Sequence, residues 1–115
     1  MPYKLSLTQA LTIVAALDDL TSKFILEPSR LEKGLRLYLE GKAQYRGDLG
    51  NWICQSSNGR DVYAVDLENV ICTCPDSTQR ESVCKHFIAC WIANRVQTVL
   101  DAARKLLREQ TKRAA

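Results

Sequence analysis

The sequence predicts an α+β fold in which N-terminal helices precede a small antiparallel three-stranded β-meander, a compact Cys/His unit and a long C-terminal helix. Three observations predict it. Apolar residues recur at helical intervals near both ends of the chain. Between them lie three short β-type runs separated by turn residues. Three cysteines and a histidine crowd into the fifteen positions from Cys72 to His86, just where the last helical pattern begins.

The first helix is marked by Ser6 and Gln9, which have capping-box spacing, and by Leu7, Leu11, Val14, Leu17 and Phe24 at helical intervals. It should end before Pro28. Ser29 with Glu32 makes a second capping box, opening a shorter helix through Leu31, Leu35 and Leu39, with Gly41 placed to stop it. The pattern then changes: Ala43 to Arg46, Asn51 to Ser56 and Arg60 to Leu67 read as strands. Asp48-Leu49-Gly50 makes the first turn and Asn58-Gly59 the second, a strong hairpin signal. Trp52 and Cys54 share one face of their strand; Tyr63, Val65 and Leu67 share one face of the next. The last helix should run from about Cys84 to about Gln110, with Ile88, Ile92, Val96, Val99, Ala103, Leu106 and Leu107 in helical period. Arg104, Lys105, Arg108 and Lys112 fall on its opposite side, and the tail after Gln110 should fray.

A chain of 115 residues is one domain by length. It divides into an N-terminal helix (1–28), a domain holding the Cys/His unit (29–95), and a distal helix with a basic tail (96–115), all expected in one compact unit. With 46% hydrophobic and 25% charged residues, the composition excludes disordered and collagen-like classes. A core of this size is modest and gains from an added staple. No apolar run reaches the roughly 20 residues of a membrane span. The stretch from Leu11 to Leu17 reads as helix rather than signal peptide, since Asp18-Asp19 is a poor cleavage context. Five cysteines cannot all pair within one chain, so a reducing, intracellular and cytoplasmic setting is expected.

In that setting a Cys/His cluster reads as a metal site. Cys72-Thr73-Cys74-Pro75 is followed by Cys84-Lys85-His86, with nine residues between Cys74 and Cys84. Structural zinc takes four ligands and accepts thiolate and imidazole together. Residues two apart on a strand point to one side, so a strand end presents Cys72 and Cys74 together, and Pro75 then turns the chain away. Cys84 and His86 stand at a helix start, where free N–H groups favour a thiolate. One structural Zn2+ held by Cys72, Cys74, Cys84 and His86 is therefore expected. A Cys72–Cys84 disulfide would need an oxidising compartment. Cys90, four residues after His86, is an alternative ligand, though its place beside Ile88 and Ile92 suits packing. Cys54 reads as packing.

The pattern Cys72-Thr73-Cys74-Pro75 and Cys84-Lys85-His86-Phe87-Ile88-Ala89 resembles the SWIM-type zinc finger. The helix from Arg30 to Gly41, then Trp52, then Tyr63-Ala64-Val65-Asp66-Leu67 resemble its upstream part, so the likeness covers roughly residues 29 to 95. It implies a ββα-like zinc unit with DNA binding or protein–protein interaction as its role, and leaves the first helix and the distal last helix uncovered.

Four protein ligands leave no open position for water or substrate, and nucleophile-elbow, P-loop and His-Glu-x-x-His motifs are missing, so a binding module rather than an enzyme is expected. Three thiolates and a divalent ion make the centre net −1, so affinity for phosphate must come from flanking cations. The net charge is +3, with +4 from Arg95 onward and −1 in the remainder. For DNA, Arg80, Lys85, Arg104, Lys105 and Arg108 are the candidate phosphate contacts, with Arg46 and Arg60 near the strand turns. The basic stripe equally reads as a solvated helix face. The other functional expectation is an adaptor for a protein partner, including a homodimer through the helices, using Leu11, Val14, Leu17, Val99, Leu106 and Leu107. Mutual packing of these residues in one core is their commonest fate.

Overall fold

The structure, a computed structural model, describes residues 5–47, 51–75 and 83–114. The expected Asp48-Leu49-Gly50 turn and Arg80 lie outside the described residues, as does the side chain of Lys112. The chain forms α1 (Leu7–Lys23), α2 (Pro28–Leu39), β1 (Ala43–Arg46), β2 (Asn51–Gln55), β3 (Val62–Asp66), β4 (Ile71–Cys72) and α3 (Lys85–Ala114). The strands make one antiparallel sheet in sequence order, so the α+β reading holds.

Local chemistry sets most element ends. At α1 the Ser6–Gln9 capping box forms, with both of its hydrogen bonds at 3.1 Å. The Ser29–Glu32 box does not: α2 begins two residues earlier, at Pro28, with Glu27 rather than Ser29 at the N-cap and no side-chain cap bond. Proline has no N–H to leave unsatisfied and its φ is already helical, so it takes the first helical position. Gly41, at φ 74°, closes α2: its N–H donates to the Tyr38 carbonyl at 3.0 Å, and that of Lys42 to Leu37 at 3.1 Å. These are the two bonds of a Schellman motif.

Between β2 and β3 the Asn58-Gly59 turn forms, but it takes up more chain than the sequence suggests. The Asn58 carbonyl oxygen Oδ1 accepts from the Ser56 hydroxyl at 2.6 Å and from the Arg60 N–H at 2.9 Å, and the Asp61 N–H donates to Ser56 Oγ at 3.1 Å. Both strands are correspondingly shorter than expected.

A short fourth strand extends the expected three-stranded meander. Asp66 builds its turn: Oδ1 accepts the N–H groups of Glu68 and Asn69, each at 3.1 Å, and Asn69 Nδ2 donates to Oδ2 at 2.8 Å. These bonds hold the Asp66 carboxyl below its usual pKa. Val70 completes the reversal with φ 56°. Cys72 then pairs with Val65, the Thr73 N–H donates to the Ala64 carbonyl at 3.1 Å, and the Ala64 N–H donates to Thr73 Oγ1 at 3.0 Å. A turn without glycine, stitched by one carboxylate, carries little signal in the sequence.

The proximal part of α3 is the centre of the core. Phe87, Ile88, Ala89, Cys90, Ile92 and Val96 are buried among α1, α2 and the sheet. Phe24 meets the rings of Phe87 and Trp91 edge-on, at centroid distances of 5.9 and 6.4 Å, and Trp91 Nε1–H donates to the Ala16 carbonyl at 3.2 Å. Among the described residues, no helix is long and apolar enough to cross a membrane.

The buried face of α1 differs from the expected one. Ile13, Ala16 and Leu20 are buried, with Leu17 and Phe24 packed beside them, whereas Leu7, Leu11 and Val14 are exposed. Both stripes have helical period, and the docking of Trp91 and Phe87 selects between them. Residues 101–111 of α3 are all exposed, so Leu106 (61%) and Leu107 (67%) face solvent. The mutual packing of Leu11 and Val14 with Leu106 and Leu107 in one core is therefore not formed.

Candidate metal centre

The centre is assembled where three chain segments meet. The register of β4 on β3 fixes Cys72, and Cys74 follows two residues on. Cys84 stands immediately before α3, in the N-cap position, and its Sγ accepts the N–H of Phe87 at 3.4 Å. That is the bond a Ser or Asp oxygen makes at an N-cap, so the helix start is satisfied by a sulfur. His86 lies in the first turn of α3.

The side chains of Cys72, Cys74, Cys84 and His86 are all buried, and one ligand atom from each lies within 4.8 Å of all the others. A four-coordinate ion with metal–sulfur bonds of about 2.3 Å needs ligand atoms about 3.8 Å apart. The donor set therefore fits one metal ion with little adjustment.

The histidine supplies an independent indication. Both of its ring nitrogens are buried, and neither makes a hydrogen bond of normal geometry. Buried polar nitrogens without partners are costly, on the order of 1–3 kcal/mol each. A ring nitrogen bound to a metal removes one such cost. Tyr63 packs against the imidazole with ring centroids 4.7 Å apart and holds it in place.

The thiols are electrostatically unequal. Cys84 accepts a hydrogen bond from Cys72, which is the largest influence on it, and lies beside the His86 ring; against the effect of burial it is pushed down to about 4. Cys72, as donor to Cys84 and as a buried group, is held well above the ordinary thiol range. Tyr63 is raised as well, by burial first and then by Asp61, Cys74 and Cys72. Cys84, at a helix N-terminus, is thus the thiol most readily ionised, and a bound cation is the natural complement to it.

Cys90 does not join this group. It lies against β2: its thiol donates to the Ile53 carbonyl at 3.7 Å, and the neighbouring Cys54 thiol, together with burial, raises it far above the ordinary range. Cys54 and Cys90 are both fully buried, and all five cysteines are free thiols. The contact joins residues 36 positions apart, and no spacing rule announces it.

The candidate phosphate contacts are not brought together. Lys85 flanks the metal ligands, whereas Arg104, Lys105 and Arg108 are exposed on the distal α3. Lys85 and Arg104 stand nineteen helical positions apart, about 28 Å. The sequence reading missed a further set of cations around Lys85, namely Lys33, Arg36 and Lys42. The spacing of Lys33 and Arg36 places them on one helix face, but nothing in the sequence shows that this face meets Lys85. Comparison with family models, with curated proteins and with solved structures finds no match to this chain.

Proposed function

We propose that the chain is a zinc-stabilised binding module of the SWIM type that associates with DNA through its phosphates, in a reducing, cytoplasmic compartment. Zinc is favoured by the ligand chemistry: three thiols and one imidazole in a closed four-point cluster suit a structural ion with no need of redox chemistry or an open position. The SWIM assignment rests on the Cys-x-Cys, Cys-x-His spacing and on β-strands leading directly into it. With its ligands turned inward and buried, the centre offers scaffolding rather than catalysis.

The observation that carries the DNA reading is the distal part of α3. It extends past the core with Arg104, Lys105 and Arg108 all exposed, against Asp101 and Glu109. Arg104 pairs with Asp101 at 3.8 Å, but both side chains are about two-thirds exposed, and such pairs contribute little. An exposed helix whose cations outnumber its carboxylates gains by displacing counterions from a polyanion. The test is zinc content by elemental analysis together with a salt-series titration of duplex DNA on the same sample. One zinc per chain, with affinity falling steeply as salt rises, is the expected result; one zinc with no affinity for DNA removes the DNA half.

A second reading, an adaptor for a protein partner or a second copy, is favoured by the exposed Leu7, Leu11 and Val14 on α1 and Leu106 and Leu107 on α3. Concentration-dependent self-association in sedimentation, insensitive to salt, would move the function there.

A further inference from the structure

We propose that the cleft between α2, the β2–β3 turn and the first residue of α3 is a phosphate-binding pocket. It is a cleft of 310 Å³ lined by Lys33, Arg36, Leu37, Glu40, Ser57 and Lys85. At Gly34, between Lys33 and Arg36, α2 comes close to the Lys85 carbonyl of α3. Lys85 Nζ donates to Ser57 Oγ at 3.1 Å, and Lys42 Nζ reaches the Ser57 carbonyl from behind at 2.5 Å.

The charge arithmetic is uneven. Among the described residues four cations (Lys33, Arg36, Lys42 and Lys85) meet two carboxylates, Glu32 on Arg36 and Glu40 on Lys42, each at 3.2 Å, leaving an excess of two positive charges. Among the described residues Lys33 and Lys85 have no carboxylate partner, and Lys85 is held by a neutral hydroxyl instead. Folding therefore gathers like charges from positions 33, 36, 42 and 85, which costs free energy unless an anion offsets it. Ammonium and guanidinium donors around a rotatable hydroxyl match the acceptor-only oxygens of a phosphate. The cleft is at the small end for ligand sites, which suits one phosphate with its adjoining sugar.

The inference rests on the DNA reading only for what carries the phosphate, a nucleic-acid strand. It is tested with Lys33→Gln/Arg36→Gln, both exposed and neither a metal ligand, and separately with Lys85→Gln. Each is titrated with duplex DNA over a salt series, and with inorganic phosphate while the amide resonances of Ser57 and Lys85 are followed. Metal content and the thermal melt confirm that each variant is folded. The expected result is an affinity for DNA roughly tenfold lower in the double variant, a salt slope smaller by about 1–2, and phosphate-induced shifts at Ser57 that the variant abolishes. If the wild type binds DNA and the folded variants bind it equally well, the pocket is overturned while the DNA reading survives. If the wild type ignores DNA but inorganic phosphate moves Ser57 and Lys85, the DNA reading fails and the pocket stands as a site for a free phosphate compound. Neither response overturns both.

Discussion

Gly34 of α2 lies against Ile88 of α3 so closely that a β-carbon on Gly34 would stand 2.6 Å from both Cβ and Cγ2 of Ile88, and 2.9 Å from the Lys85 carbonyl. No ordinary contact is that short. The glycine lets α2 cross the beginning of α3, two residues past His86, so the metal centre and the helix packing share one fixed point. It also sets Lys33 and Arg36 beside Lys85.

Gly34→Ala is therefore expected to destabilise the fold, although alanine is the better helix former by about 1 kcal/mol. Overpacking costs of about 1–3 kcal/mol should win, because the methyl meets a buried side chain and a backbone carbonyl. Urea unfolding of the metal-loaded protein reads the difference; an unchanged or higher midpoint would show that the helices can separate freely.

Cys84→Ser is expected to lose the bound ion and unfold the C-terminal half, because it removes one of the four ligands; the serine oxygen can still cap α3, so the loss reads the metal and not the helix start. Cys90→Ser should keep one ion per chain with a modest loss of stability, since Cys90 faces Cys54 rather than the four ligands. Elemental analysis of the two variants separates the roles. Equal loss of metal in both would return Cys90 to the ligand set.

Val70 is a β-branched residue at φ 56°, a conformation that costs L-residues about 1–2 kcal/mol. Val70→Gly should raise the melting temperature by a few degrees, partly offset by the greater freedom of glycine in the unfolded chain. A lower melting temperature would mean that the valine side chain contributes more by packing than its conformation costs.

Replacing Arg104, Lys105 and Arg108 together by Gln should leave stability within about 0.5 kcal/mol, because all three are exposed. The same variant should lower DNA affinity and reduce the salt slope by up to about 3. Leu106→Lys/Leu107→Lys should also fold normally; its test is sedimentation, where loss of self-association marks a homodimer through the helices and a wild type that is already monomeric removes it.

What the sequence by itself determined is what short-range chemistry specifies. The Ser6–Gln9 cap, the Gly41 stop, the Asn58-Gly59 turn and the long last helix each depend on residues a few positions apart, and all are formed. The four metal-ligand candidates were legible for the same reason: they lie within fifteen positions, on a strand end and a helix start whose geometries follow from local pattern. Only the tertiary structure decided the rest. Leu7, Leu11 and Val14 were as good a helical stripe as Ile13, Ala16 and Leu20, and the rings of Phe87 and Trp91, more than sixty residues away, chose the second. The Cys54–Cys90 contact, the closeness of Gly34 to Ile88 and the gathering of Lys33, Arg36 and Lys42 around Lys85 likewise join distant positions. Periodicity states which residues share a face, but which face is buried is settled by the free energy of packing one element on another.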